Sequence, residues 1–321
     1  MNLSPIRNKT MGLFIYFIIM MLAGSIAGGY FFKNGWYVLL GLIVGIIAGV
    51  ILFFMFLFVV RLFSYRYKDK NKPFKFGVYL VDDFANFAFI ISLGTLKRIN
   101  FDKIPQGGYF LVMNHQSNLD VLMVLGRSHN HNLCFVMKDS LGHLPIAGKM
   151  VMNSGFIALN RDDPRDGVRM LSTATKRIKA GYPIAICPEG TRSKTPEMND
   201  FHVGTFKIPQ KAQCPIVIVA TDGFWRYSLS SRPATVKSVQ KVIEVLDYET
   251  YKDWSTQELE EYCYNKINNE LTLLRQEYPF LQMKKGEREK LILKNNKHAY
   301  KLARKHEKSN ENSNQNIDES K

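Results

Sequence analysis

LVMNHQSNLDVL (residues 111–122) places three local instructions side by side. Leu111–Met113 reads as the end of a buried strand, NHQS as a polar loop, and Leu119, Val121 and Leu122 as the start of a helical apolar face. His115 and Asp120 stand on either side of the loop. In one continuous helix, five steps of about 100° would leave them roughly 140° apart. In one strand, their odd spacing would turn them to opposite faces. They meet only if His115 lies just past the strand and Asp120 in the first turn of the next helix, with Ser117 or Asn118 capping it. The stretch therefore predicts a strand–loop–helix unit.

The same alternation continues downstream. Strands are predicted at 109–114, 133–138, 156–160, 183–187 and 215–220, with helices at 119–127, 142–152 and 164–180 between them. Pro164 and Gly181 are start and stop signals for the last of these. Strands and helices in alternation imply an α/β domain with a largely parallel sheet. Residues 235–246 add one or two strands near an edge, and 255–278 form an amphipathic helix with a Ser255/Glu258 capping box. Residues 76–94 read as an aromatic-rich helix, lying either on a membrane surface or over the domain.

Two apolar runs, 11–32 and 36–60, are each long enough to span a bilayer as a helix. Gly41, Gly45 and Gly49 share one face of the second run, a groove into which Gly24 and Gly28 of the first can pack. Arg7 and Lys9 precede the pair, Arg61, Arg66, Lys68, Lys70, Lys72 and Lys75 follow it, and only Lys33 lies between. This asymmetry predicts a multi-pass anchor in the inner (cytoplasmic) membrane, with both termini and the α/β domain cytoplasmic. A cleaved signal peptide would have a shorter apolar stretch. The expected organisation is a transmembrane helical hairpin with basic flanks (1–75), an α/β domain (76–283) and a basic flexible tail (284–321). The tail reads either as a helix resting on anionic lipid or, preferred here, as a solvated segment.

A formal net charge of +15 over 321 residues points to acidic partners: lipid headgroups, nucleic acid or phosphorylated metabolites. The charge gathers beside the spans and in the tail, without a nucleic-acid-binding module, which argues against nucleic acid. Cys134, Cys187, Cys214 and Cys263 form no CxxC and read as free thiols in a reducing compartment. No zinc pattern is present, and His129 with His131 reads as a polar loop.

A carboxylate on one imidazole nitrogen fixes the tautomer and leaves the other nitrogen as a base. The plainer alternative is a structural histidine satisfied by an aspartate. Ser117 is too close along the loop to be an obvious nucleophile, and Cys187 ends an apolar strand, so a substrate hydroxyl is the expected proton donor. Other predicted strand ends carry polar groups suited to a phosphorylated alcohol. PEGTRS (188–193) offers Glu189, Gly190, Thr191 and Arg192; Arg161 follows 156–160 and Lys138 closes 133–138. Gly190 permits a tight turn, and Arg192 offers a fork of donors. Taken singly, these are also a charged turn with a Glu189–Arg192 ion pair and solvated cations.

Taken in order, NHQSNLD (114–120), GFIALNR (155–161), PEGTRS (188–193) and CPIVIVA (214–220) resemble the four blocks of the glycerolipid acyltransferase family, in particular the bacterial lysophosphatidate acyltransferases. FHVGTFK (201–207) is also similar, and the likeness covers roughly residues 95 to 225. Asn160 stands where the family usually has aspartate, Cys214 where valine is frequent, and Ile218 where a second proline is common. The resemblance implies that His115 is the general base, held by Asp120. It implies that Arg161, Glu189, Gly190 and Arg192 bind the glycerol phosphate of the acceptor, with Lys138 a further candidate. Asn114, Thr191 and Pro215 are motif neighbours. The implied reaction transfers an acyl group from acyl-CoA or acyl carrier protein to the sn-2 hydroxyl of 1-acyl-glycerol-3-phosphate, giving phosphatidate, with no metal and no bound cofactor. Another lysophospholipid, glycerol 3-phosphate or a glycolipid precursor remains open as acceptor. So do hydrolysis and a non-catalytic, membrane-tethered lipid-binding role.

Overall fold

The computed structural model describes residues 12–32, 35–67, 73–92, 94–125, 132–228, 236–284 and 286–294. Expectations for Arg7, Lys9, Lys33, Lys68, Lys70, Lys72, His129, His131 and the chain beyond 294 fall outside them.

The chain opens with two apolar helices, α1 (Gly12–Phe32) and α2 (Gly35–Ser64). They run antiparallel with backbones in contact: a Cβ at Gly24 would lie 2.2 Å from the Gly41 carbonyl oxygen, and one at Gly28 2.1 Å from that of Tyr37. Only glycine allows this approach, as the four-residue spacing foretold. Among the described residues Trp36–Tyr67 is a helix long and apolar enough to cross a membrane, while Ile15–Gly28 is a shorter apolar stretch. At about 1.5 Å per residue α2 is roughly 45 Å long.

The pair rests on the body through α3 (Lys75–Ser92) and α6 (Ala147–Asn153). Gly12 N donates to Asp83 Oδ1 (3.1 Å), and Asn153 Nδ2 to Ser64 Oγ (3.1 Å). Leu57 and Val60 of α2 pack with Phe74 and Met150. Thus the start of α1 and the end of α2 meet the same body. Helix α3 buries Val78 and Ala85 against the domain while Phe76, Tyr79 and Phe84 stay exposed.

The sheet has seven strands in the order β1 (Thr95–Ile99), β7 (Lys237–Leu246), β6 (Ile216–Asp222), β2 (Phe110–Met113), β5 (Ile184–Ile186), β3 (Cys134–Lys138) and β4 (Ile157–Leu159). From β6 to β4 every pairing is parallel; β7 is antiparallel to β6 and parallel to β1. The fold is therefore an α/β fold with a mixed, mostly parallel sheet. All of β2 and β6 is buried, as expected of strands covered on both faces. The connections supply α4 (Asn118–Leu125), α5 (Asp139–Gly142), α7 (Pro164–Lys179), α8 (Lys207–Ala212), α9 (Tyr248–Tyr251) and α10 (Thr256–Glu277). Helix α10 carries the expected capping box and buries Leu259, Cys263, Ile267, Leu271 and Leu274 along one stripe.

Residues 235–246 form β7, near an edge as expected, one strand in from the edge strand β1, whose own TLKRI sequence gave no strand signal. Two expectations are corrected, the helix over 142–152 and the free tail. The helix expected over 142–152 breaks into α5 and α6. Pro145 cannot donate a helical hydrogen bond, and Ile146 adopts φ +62°. The tail is not free from residue 284. Residues 287–294 are helical, Leu291 is buried, and Glu287 pairs with Arg226 at 3.1 Å. Pro215 immediately precedes β6, where the sequence placed it, with its carbonyl accepting from Phe110 N at 3.0 Å.

Candidate active site

Strand β2 ends at Met113, and Asn114 then fastens the chain to the end of β6. Its side chain donates to the Thr221 carbonyl and accepts from Thr221 N, both at 2.8 Å. His115 follows just past the strand, and Asp120 lies in the first turn of α4, as the spacing required. His115 Nδ1 sits 3.0 Å from Asp120 Oδ1. Asp120 is wholly buried, and its remaining valences are filled by backbone donors: Gln116 N (2.6 Å) and Ser117 N (2.7 Å) on Oδ2, Val121 N (2.6 Å) on Oδ1. Four donors on one carboxylate leave it no freedom to turn. Ser117 Oγ accepts from Leu119 N at 3.3 Å, opening the helix. The imidazole is 16% exposed, and its Nε2 has no hydrogen-bond partner among the described residues. The pair thus has one nitrogen fixed and one available.

The neighbouring strand β5 leads into PEGTRS. Gly190 takes φ +68°, and a Cβ there would fall 2.8 Å from His202 Nε2, so both conformation and space demand glycine. Glu189 accepts from His115 N on Oε1 (2.6 Å) and from Asn199 N on Oε2 (2.8 Å). Ser193 N donates to the His115 carbonyl at 2.8 Å. The PEGTRS loop therefore grips the backbone of His115 from both sides. Burial pushes the Glu189 carboxyl up to about 7, against the lowering effect of the two N–H groups. Each Glu189 oxygen accepts one backbone N–H, and Glu189 forms no ion pair with Arg192. It joins two loops.

Thr191 and Arg192 are exposed, as are Arg161 beyond β4 and Lys138 at the end of β3. None of the three cations makes a hydrogen bond or ion pair with a described residue. The ends of β2, β5, β3 and β4 are consecutive along one sheet edge. At about 4.8 Å per strand, Arg161 starts roughly 14 Å from the β2 end, and Lys138 lies between. His115 bonds to both Asp120 and Glu189, with Gly190, Thr191 and Arg192 on the Glu189 loop. Lys138 and Arg161 flank them along the edge. Cys187 is no competing nucleophile: desolvation first, then Asp120 and Glu189, push its thiol well above the usual range, with Arg161 acting the other way. Cys134, Cys214 and Cys263 are buried and free, as expected.

Sequence reasoning missed a supporting layer. Gln116 Nε2 donates to Asp222 Oδ1 (3.0 Å), Asp222 Oδ2 accepts from Arg275 Nε (2.7 Å), and Gln240 Nε2 donates to the Asp120 carbonyl (2.8 Å). The three side chains other than Arg275 are buried. Asp222, a carboxylate at the end of an apolar strand, was the one local signal available.

A mostly parallel α/β sheet here sets a histidine–aspartate loop against a glycine-turned PEGTRS loop. Residues 96–222 match the family model described as Acyltransferase, so this segment is an Acyltransferase-family domain and the motif resemblance holds. The chain is 33% identical over 126 residues to the 1-acyl-sn-glycerol-3-phosphate acyltransferase of Helicobacter pylori, covering 38% of this chain and 53% of that protein. It is 27% identical over 215 residues to the enzyme of that name from Saccharomyces cerevisiae, covering 61% and 71%. The chain thus spans about half the length of the Helicobacter relative. Among solved structures, the 1-acyl-sn-glycerophosphate acyltransferase PlsC from Thermotoga maritima shares the fold, with a TM-score of 0.53 over 81% of this chain and 98% of that one, at 20% identity.

Proposed function

We propose that this protein transfers a fatty acyl group from a thioester, acyl-CoA or acyl carrier protein, to the free sn-2 hydroxyl of 1-acyl-glycerol-3-phosphate. His115 Nε2 takes the hydroxyl proton while Asp120 stabilises the resulting imidazolium. The alkoxide adds to the thioester carbonyl, the tetrahedral oxyanion collapses with cleavage of the C–S bond, and the thiolate leaves with the proton from His115. Arg192, Lys138 and Arg161 neutralise the acceptor's phosphate along the sheet edge. Glu189 and Gly190 hold the loop that presents Arg192. No bound cofactor or metal takes part. Helices α1 and α2 cross the inner membrane as a hairpin, with both termini and the catalytic body on the cytoplasmic side, where acceptor and product reside in the adjacent leaflet.

The observation that carries this reading is the geometry of His115, with Nδ1 on a fully held carboxylate and Nε2 free. The relatives named for this reaction support the choice of acceptor. The test supplies detergent-solubilised protein with labelled acyl-CoA or acyl carrier protein and lysophosphatidate, glycerol 3-phosphate, another lysolipid or no acceptor. Phosphatidate formation is expected, falling by at least about 10²-fold in His115→Ala, the lower end of general-base effects. An unchanged rate in His115→Ala refutes the assigned base. Free fatty acid without acceptor would make the protein a hydrolase.

A further inference from the structure

Arg275 lies on α10, beyond the Acyltransferase-matched segment 96–222, yet its guanidinium reaches both loops of the site. Its Nε donates to Asp222 Oδ2 (2.7 Å), and its Nη2 donates to the Pro196 carbonyl (2.5 Å). Asp222 holds Gln116 through its other oxygen (3.0 Å), and Gln116 N is one of the donors on Asp120 (2.6 Å). Pro196 belongs to the segment between Ser193, whose N–H donates to the His115 carbonyl, and Asn199, whose N–H donates to Glu189. One planar fork therefore ties the loop that carries the base to the loop that carries Arg192. A lysine offers a point charge, without the two fixed directions this bridge uses.

We propose that Arg275 is a positioning residue for acyl transfer, fixing the distance between His115 and the acceptor-binding loop from outside the matched segment that supplies both. The proposal rests on the acyl-transfer reading above. Losing the tie at Pro196 frees the Arg192 loop; losing the tie at Asp222 loosens the Gln116 end of the Asp120 cradle. Misplacement of reacting groups by about 1 Å can lower turnover roughly 10²-fold.

The test compares Arg275→Lys, Arg275→Met and the double variant Arg275→Met/Asp222→Asn with the wild type. In the double variant the buried carboxylate is replaced by a neutral amide whose oxygen can still accept from Gln116, so folding does not depend on an uncompensated charge. Expected in it are a wild-type melting temperature and an acceptor KM raised about tenfold, the value of one charge-assisted hydrogen bond. Donor KM is expected to stay unchanged. Arg275→Lys should recover stability relative to Arg275→Met and leave the acceptor KM raised. Peptides 111–122 and 190–200 should exchange amide hydrogens faster in the double variant. Wild-type acceptor KM and turnover in that variant overturn the proposal. If the wild type itself acylates no acceptor, the proposed reaction falls, and amide exchange decides on Arg275 alone: unchanged protection of both peptides overturns it.

Discussion

Glu189 sets two opposing effects against each other, and replacing it with glutamine separates them. The side chain is 4% exposed, which disfavours charge, while two backbone N–H groups at 2.6 and 2.8 Å favour it. Burial wins, placing the carboxyl at about 7 rather than the ordinary 4.5. Between those values the native protein keeps a proton that the unfolded chain has released. A folded-state pKa that is raised means stability falls as pH rises through this window. The gap corresponds to roughly 3 kcal/mol at full ionisation. Glutamine resembles the protonated form and does not titrate. Wild type and Glu189→Gln should therefore melt close together at pH 4.5, with the variant gaining on the wild type up to pH 8. At about 2–4 °C per kcal/mol, the gain is roughly 6–12 °C. All other titrating groups are shared, so they cancel in the difference between the two melting curves. Catalysis should move the other way. An amide has one acceptor oxygen, so either His115 N or Asn199 N faces an NH2 group, and the clip on the histidine is half lost. One neutral hydrogen bond, about 0.5–1.5 kcal/mol, predicts a loss of about 2- to 10-fold in kcat/KM. A melting difference that is flat with pH, or that favours the wild type increasingly toward pH 8, refutes the reasoning. It would mean that the two N–H groups outweigh burial and Glu189 remains an ordinary carboxylate.

Two further predictions concern the scaffold. Burial, then Asp83, raise the Asp82 carboxyl on α3 to about 8, so at pH 6 it is protonated and nearly isosteric with an amide. Asp82→Asn should change stability there by no more than about 1 kcal/mol and become stabilising above pH 8, as read from thermal melts at pH 6 and 9. The second prediction pairs two glycine-to-alanine changes with opposite signs. Gly24→Ala drives a Cβ to 2.2 Å from the Gly41 carbonyl oxygen and should lower the melting temperature by forcing α1 and α2 apart. Gly167→Ala on α7, where a Cβ meets nothing within 4 Å, should stabilise by about 0.5–1 kcal/mol through helix propensity. Equal effects would remove the close-packing account of the helical pair.

What the sequence made legible was local. A strand announces itself when neighbouring residues repeat an apolar pattern, so β2, β3, β4, β5 and β6 were readable. The capping box of α10 was readable because its partners lie three residues apart. Strand β1 was not, because Lys97 and Arg98 interrupt its apolar character. Those charges find partners only through the fold, Lys97 on the Tyr278 hydroxyl (2.6 Å) and Arg98 on the Met123 carbonyl (2.6 Å). The site divides in the same way. His115 and Asp120 were predictable as a pair because a strand–loop–helix turn closes over five residues.

Glu189 was visible as a motif residue but not as a clip, since its role depends on a backbone N–H 74 residues away. Gln116 and Asp222 are separated by 106 residues, Asp222 and Arg275 by 53. No periodicity or spacing rule relates such positions; the parallel sheet brings them together by aligning the ends of β2, β5 and β6. A motif can therefore identify which residues perform chemistry while leaving unread the residues that hold them at working distance. In this chain part of that holding comes from α10, beyond the segment the motifs occupy. Residues 96–222 contain the base, its aspartate and the PEGTRS loop, but Arg275 is outside them. A fragment ending at Asp222 would keep every motif and lose β7, Gln240 and Arg275, and with them the bond to the Asp120 carbonyl and the bridge between the two loops. The working unit is larger than the segment its motifs define.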